Sequence, residues 1–188
     1  MDSGQDSLDS EIFQTGNCIL ELLKRTLCPD FVRDKESIVL TAPWEEEDYR
    51  VGVYLYDIQD YSLMHPQEAA LSDEERRFPP KAVELCYLIF CNEKHQFGGL
   101  QRQQIHKVLN EVIRTVYDHP ALRWEEGGEE VQLSFLRETV EFKIRLWGSF
   151  HQPLQPAIYL RAVPVLVASR RIRKAVRVKE RDYGVKKM

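Results

Sequence analysis

The side chains able to do chemistry are dispersed along the 188 residues. The five histidines stand at His65, His95, His106, His119 and His151, and none shares a short motif with a nucleophile or a paired acid. Catalysis needs groups that converge, and the chain has no GxSxG elbow, no GxxxxGK[ST] loop, no HExxH and no HxE…CxxC pattern. His106 falls off the apolar face of its predicted helix, beside Arg102, Gln103 and Asn110, and reads as solvated. His119 precedes Pro120 at a predicted helix end, where an imidazolium complements the negative end of the helix dipole.

Four cysteines raise the question of a metal or of disulfides. Cys86 and Cys91 are five residues apart in one predicted strand, so they point to opposite faces and cannot join one tetrahedral site. Cys18 and Cys28 flank a helix C-terminus without CxxC spacing, and all four read as reduced, mostly buried thiols. The acidic runs Glu45–Asp48 and Glu125–Glu130 lack the layout of a calcium loop and read as solvated loop charge. Gly98-Gly99 before a helix is a weak anion-binding signal, equally explained as a strand-to-helix connection. Tyr49, Tyr54, Tyr56, Tyr61 and Phe78 cluster around one strand and the loop after it; Tyr54 and Tyr56 share a strand face and read as core rather than as a stacking platform. Neither a catalytic residue nor a cofactor or metal is expected.

Charge is the stronger signal. Residues 170–188 hold nine Lys and Arg against Glu180 and Asp182, a balance of +7, so the first 169 residues carry −11 to give the total of −4. The acidic, polar start MDSGQDSLDSE is no secretory signal, and no uncharged apolar run reaches the ~18 residues of a membrane span. The expectation is a chain made and folded in the cytoplasm. At 188 residues it is the size of one compact domain, with residues 1–8 disordered, a domain over 9–168 and a basic arm over 169–188.

The elements that must position any site follow from periodicity. Residues 9–27 predict a helix capped by Asp9 or Ser10, with Ile12, Gly16, Leu20, Leu23 and Leu27 on one face. Ser37–Ala42 is a short strand, residues 50–60 an interior strand with apolar residues on both faces, and 82–91 the central strand. The stretch 61–80 shows no strand period and reads as a long loop with one helical turn over Pro66–Glu75. Residues 100–118 predict the clearest helix, through Ile105, Val108, Leu109, Val112, Ile113, Val116 and Tyr117. A half-buried strand over 131–136, a short helix over 138–148 with a helical spacing of apolar residues at Val140, Ile144 and Trp147, and a long strand over 157–169 follow. Pro164 lacks a ladder donor and argues for an edge or a bulge there. The order predicts an α+β fold: helices packed on a mixed, mostly antiparallel sheet, with an extended C-terminal arm.

In the arm, Ile172, Val176 and Val178 share one parity while Arg171, Arg173, Arg177 and Lys179 share the other, which favours an amphipathic strand over a helix. Counterion release on nucleic acid or an anionic membrane would use the charge but not the alternating Val and Ile. Addition of a strand to another chain's sheet uses both. These seven residues are the candidate binding segment.

Several segments together resemble the terminal cap, or tail-terminator, family of phage-tail-like contractile injection systems. They are RVGVYLYDIQD with the long polar loop after it, Pro79-Pro80 before LCYLIFC, the helix ending in His119-Pro120-x-Leu122, and LWGSFHQPLQPAIYLRAVPV. The resemblance covers about residues 9–168. It implies a terminator fold, a homohexameric ring on the particle end distal to the baseplate, and a structural role in ending growth of the inner tube and contractile sheath. No small-molecule substrate is implied, and the arm would dock on sheath or on a neighbouring cap subunit. The alternative reading is a small protein binding nucleic acid or an anionic surface through its basic tail.

Overall fold

The computed structural model describes residues 10–70, 72, 75–93, 100–123 and 130–174. The expected disorder of residues 1–8, Gly98-Gly99, most of the second acidic run and Val176, Arg177, Val178 and Lys179 lie outside these residues.

The elements in chain order are α1 (Glu11–Leu27), β1 (Ile38–Leu40), β2 (Val51–Asp60), β3 (Ala69–Ala70), β4 (Glu75–Arg77), β5 (Lys81–Cys91), α2 (Arg102–Asp118), β6 (Ala121–Leu122), β7 (Val131–Phe135), α3 (Val140–Ser149), β8 (Ala157–Val167) and β9 (Ile172–Lys174). A short 3-10 turn at Lys35–Ser37 leads into β1. The main sheet has the order β1-β2-β5-β8-β7-β6. Only the β1–β2 pair is parallel; the others are antiparallel. The α+β class with a mixed, mostly antiparallel sheet is thus the observed one.

Strand alternation builds two cores. On β5, Leu85, Tyr87, Ile89 and Cys91 face a large core, covered by Ile19, Leu23 and Leu27 of α1 and by Ile105, Val108, Val112 and Val116 of α2. Leu88 and Phe90, of the other parity, join Tyr49, Trp147, Phe150 and Tyr159 in a smaller aromatic core under α3. Gly52 on β2 stands opposite Phe90, and a Cβ there would lie 2.8 Å from the ring's Cε1, so the absent side chain makes room for the ring. Ser10 caps α1 by accepting the Phe13 amide at 3.3 Å, and Thr139 caps α3 by accepting that of Phe142 at 3.2 Å. His119 ends α2, its Nδ1 3.1 Å from the Thr115 carbonyl.

One expectation needs correction, and two gain detail. The described residues of 66–75 hold no helical turn; β3 and β4 pair as a hairpin, with Ala69 opposite Arg77 and Ala70 opposite Arg76. Of the two alternatives for Pro164, the bulge is the observed one: β8 lies between β5 and β7, and Val163 and Pro164 are set against Glu84 alone. On α3, Val140 and Ile144 are 62% and 55% exposed, and Trp147 goes inward with Phe142 and Leu146. The apolar stripe of α2 is likewise narrower than its period suggests, with Ile113 and Tyr117 exposed.

Candidate functional site

The root of the basic arm does not hang free. After β8, the Ala168 amide donates to Glu11 Oε1 at 3.0 Å, and the Arg171 amide donates to Ser169 Oγ at 3.2 Å. The chain then pairs as β9 antiparallel to β4, with Ile172 opposite Arg77, Arg173 opposite Arg76 and Lys174 opposite Glu75. With β3 on the far side of β4, this makes a second, three-stranded sheet in which every strand residue is exposed.

Side chains clamp this finger. The Phe78 amide donates to the Arg171 carbonyl at 2.9 Å, and the Arg171 guanidinium lies 4.3 Å from the centre of the Phe78 ring, an exposed cation–π contact of about 0.5–1 kcal/mol. Arg173 faces Arg76 directly, a like-charge pair that opposes the pairing. Glu68 relieves it by accepting from Arg173 Nη2 at 2.6 Å. At the hairpin turn, Ser72 Oγ accepts the Glu75 amide at 3.0 Å. The result is an exposed finger with cations on both faces, Arg76 and Arg173 on one and Arg77 and Lys174 on the other, drawn from two segments far apart in sequence.

Of the candidate binding residues, Arg171, Ile172 and Arg173 are therefore held on the chain's own hairpin, and the strand reading of the arm holds over 172–174. Sequence reasoning missed Glu68, Arg76, Arg77 and Phe78 as their partners. The only hint was the Arg76-Arg77-Phe78 run before Pro79-Pro80, where an aromatic residue between cations and a chain stop marks the base of a turn.

Burial favours the protonated forms of several thiols and phenols. Burial pushes the Cys86 thiol up to about 11 and the Cys91 thiol up to about 12, with Glu84 and Glu93 respectively adding to the shift. Burial likewise raises the phenols of Tyr49, to about 12, and of Tyr56 and Tyr87. Among the described residues no group of three or more His, Cys, Asp or Glu is placed to hold a metal ion, and no helix is long and apolar enough to cross a membrane. What the finger presents to solvent is an exposed, cation-rich surface.

A family model, the Pvc16 N-terminal domain, matches residues 14–181. The chain belongs to that family. The matched span runs past the end of β8 into the basic arm. Two solved structures share its fold. One is the sheath/tube terminator, in the extended state, of the extracellular contractile injection system PVC, with a TM-score of 0.67, 16% identity, and 94% of this chain and 64% of that chain covered. The other is the tube terminating cap of the anti-feeding prophage, with a TM-score of 0.55, 15% identity, and 91% of this chain and 60% of that chain covered. The chain thus spans less than two thirds of the length of either structure. No curated protein matches the sequence.

Proposed function

We propose that this chain is a structural, non-enzymatic cap of a contractile injection particle, forming a homohexameric ring that binds the last layer of inner tube and sheath and ends their growth. The observation that carries the reading is a fold shared over nearly the whole chain with a sheath/tube terminator and a tube terminating cap. A cap of this kind has to match a six-fold polymer end on one face and offer no equivalent site on the other, which a closed ring does when its symmetry fits the polymer and its outer face differs from the inner one. Binding through main-chain pairing and charge suits an acidic body that carries its cations on a finger and an arm.

Within this reading, residues 9–168 form the ring-building body. Arg171, Ile172, Arg173, Val176, Arg177, Val178 and Lys179 form the segment that contacts a neighbouring protein. The protein would be made in the cytoplasm and become part of the assembled particle. Native mass measurement and negative-stain images of the purified chain, alone and with tube and sheath subunits, test the proposal. Six-fold rings are expected, and a chain that stays monomeric under both conditions overturns it. Deleting residues 170–188 is expected to leave a folded body that no longer engages sheath. Normal length-limited particles capped by that truncation would remove the arm from the proposal.

A further inference from the structure

An open apolar groove of about 460 Å3 lies between the first turns of α1 and the β1–β2 edge, lined by Phe13, Gly16, Leu40, Val53, Leu55 and Tyr87 among others. It exists because β1 is short. It pairs only with Val51–Val53, while β2 runs on to Asp60. Farther along, the β2 edge is closed to strand addition: the ladder shifts register between Leu55 and Asp57, and the Asp57 carboxylate accepts the Ile58 amide at 2.9 Å. The groove is therefore a bounded site. Its rim residues Phe13 and Leu40 are 49% and 41% exposed. At its floor the Tyr87 hydroxyl is buried with no hydrogen-bond partner among the described residues, an arrangement that costs about 1–3 kcal/mol until an acceptor arrives.

Those features suit an occupant with apolar side chains on one side, cations on the other, and an accessible carbonyl. The chain flanking the groove-lining residues supplies negative charge at Glu11 and at Glu45, Glu46, Glu47 and Asp48, within a body of −11. The sequence Ala175-Val176-Arg177-Val178-Lys179 alternates in the required way. Its own copy is poorly placed to deliver it. Lys174, the last described residue, pairs with Glu75 at the turn end of the hairpin, whereas β4 rejoins the body at the opposite end through Pro79-Pro80, so β9 runs away from its own β5.

We infer that the groove between α1 and the β1–β2 edge of one copy receives Val176 and Val178 from the basic arm of a second copy, with Arg177 and Lys179 against the acidic flanks. A main-chain carbonyl of the arm then accepts the Tyr87 hydroxyl. This rests on the ring reading and adds one contact, beyond those of the body, between adjacent subunits.

The test uses the full chain carrying Phe13→Cys and Val178→Cys, prepared at natural isotope abundance and uniformly heavy. The two forms are unfolded, mixed, refolded together, treated with a short bismaleimide and read by mass spectrometry of linked peptides. Heavy–light pairs joining positions 13 and 178 are expected. Pairs of matched isotopes alone mean that each arm lies in its own groove, and overturn the inference. Six-fold rings without a 13–178 link overturn the inference but leave the ring; a monomer without the link overturns both. In parallel, Tyr87→Phe is expected to raise the concentration at which rings dissociate about tenfold, equivalent to about 1.4 kcal/mol, while the monomer unfolds at the same or a higher temperature. Unchanged ring dissociation in Tyr87→Phe would remove the hydroxyl from the contact.

Discussion

Arg173 donates from Nη2 to Glu68 Oε2 at 2.6 Å, joining positions 105 residues apart and anchoring the first strand of the arm to the hairpin. The side chains are 55% and 23% exposed, so the pair is worth at most about 1 kcal/mol and matters locally more than globally. Glu68→Ala is expected to leave the thermal midpoint almost unchanged while speeding amide exchange at Ile172–Lys174 and tryptic cleavage after Arg171 and Arg173. Adding Phe78→Ala, which removes the ring under Arg171, should enlarge both effects. Unaltered exchange at 172–174 in the double variant would show that the strand is held by its ladder alone.

The same finger marks the limit of what the sequence displays. Helices α1 and α2 were legible because their apolar residues recur at 3.6-residue spacing over 17 residues each, and β5 because ten nearly continuous apolar residues suit a strand buried on both faces. Strands β3 and β4 have two and three exposed residues, too few to show a period, and β4 reads Glu-Arg-Arg. Their stability comes from β9, whose proximity is a property of the fold. On α3 the sequence carried two competing stripes within ten residues. The one containing Phe142, Leu146 and Trp147 prevailed because it buries the larger aromatic surface. The alternating arm was recognised, but its first partner lies in the same chain, and parity alone cannot identify a partner.

Gly52→Ala tests the packing of β2 on β5. The added methyl would meet the Phe90 ring, which is fully buried and touches Tyr49 and Trp147 edge-on. Overpacking of this kind costs about 1–3 kcal/mol. Phe90→Leu alone is also destabilising, yet in the double variant the two penalties should fall short of additive, because the smaller side chain vacates the space that the methyl needs. Simple additivity in chemical denaturation would show that the backbone moves to relieve the clash.

Trp147 is the largest buried side chain of the smaller core, and its Nε1 donates to the Tyr159 hydroxyl at 3.0 Å. Trp147→Ala is expected to cost about 3–5 kcal/mol by leaving a cavity under α3. Trp147→Phe retains much of the packing but strands the hydroxyl, for about 1–3 kcal/mol. Tyr159→Phe made on top of Trp147→Phe should then recover part of that loss. If it deepens the loss instead, the hydroxyl has another partner that matters more than the indole.

Alkaline pH should weaken the fold through Cys91 and Cys86. Burial holds the Cys91 thiol at about 12 and the Cys86 thiol at about 11, against 9.0 for the exposed group. The native state therefore keeps protons that the unfolded chain releases first. Their contribution is fully present below pH 9 and is lost as the pH rises from there through the folded values, since the unfolded state then binds fewer protons and stability falls with pH. Tyr49, raised from 10.0 to about 12, adds to the decline from about pH 10 upward. Denaturant midpoints measured from pH 7 to 11 should be level up to about pH 9 and then drop. Cys91→Ala, though less stable at pH 7 because of the small cavity, should show a shallower drop. An equal slope in the variant would mean that Cys91 does not titrate across unfolding, and the alkaline loss would have to come from the other buried groups.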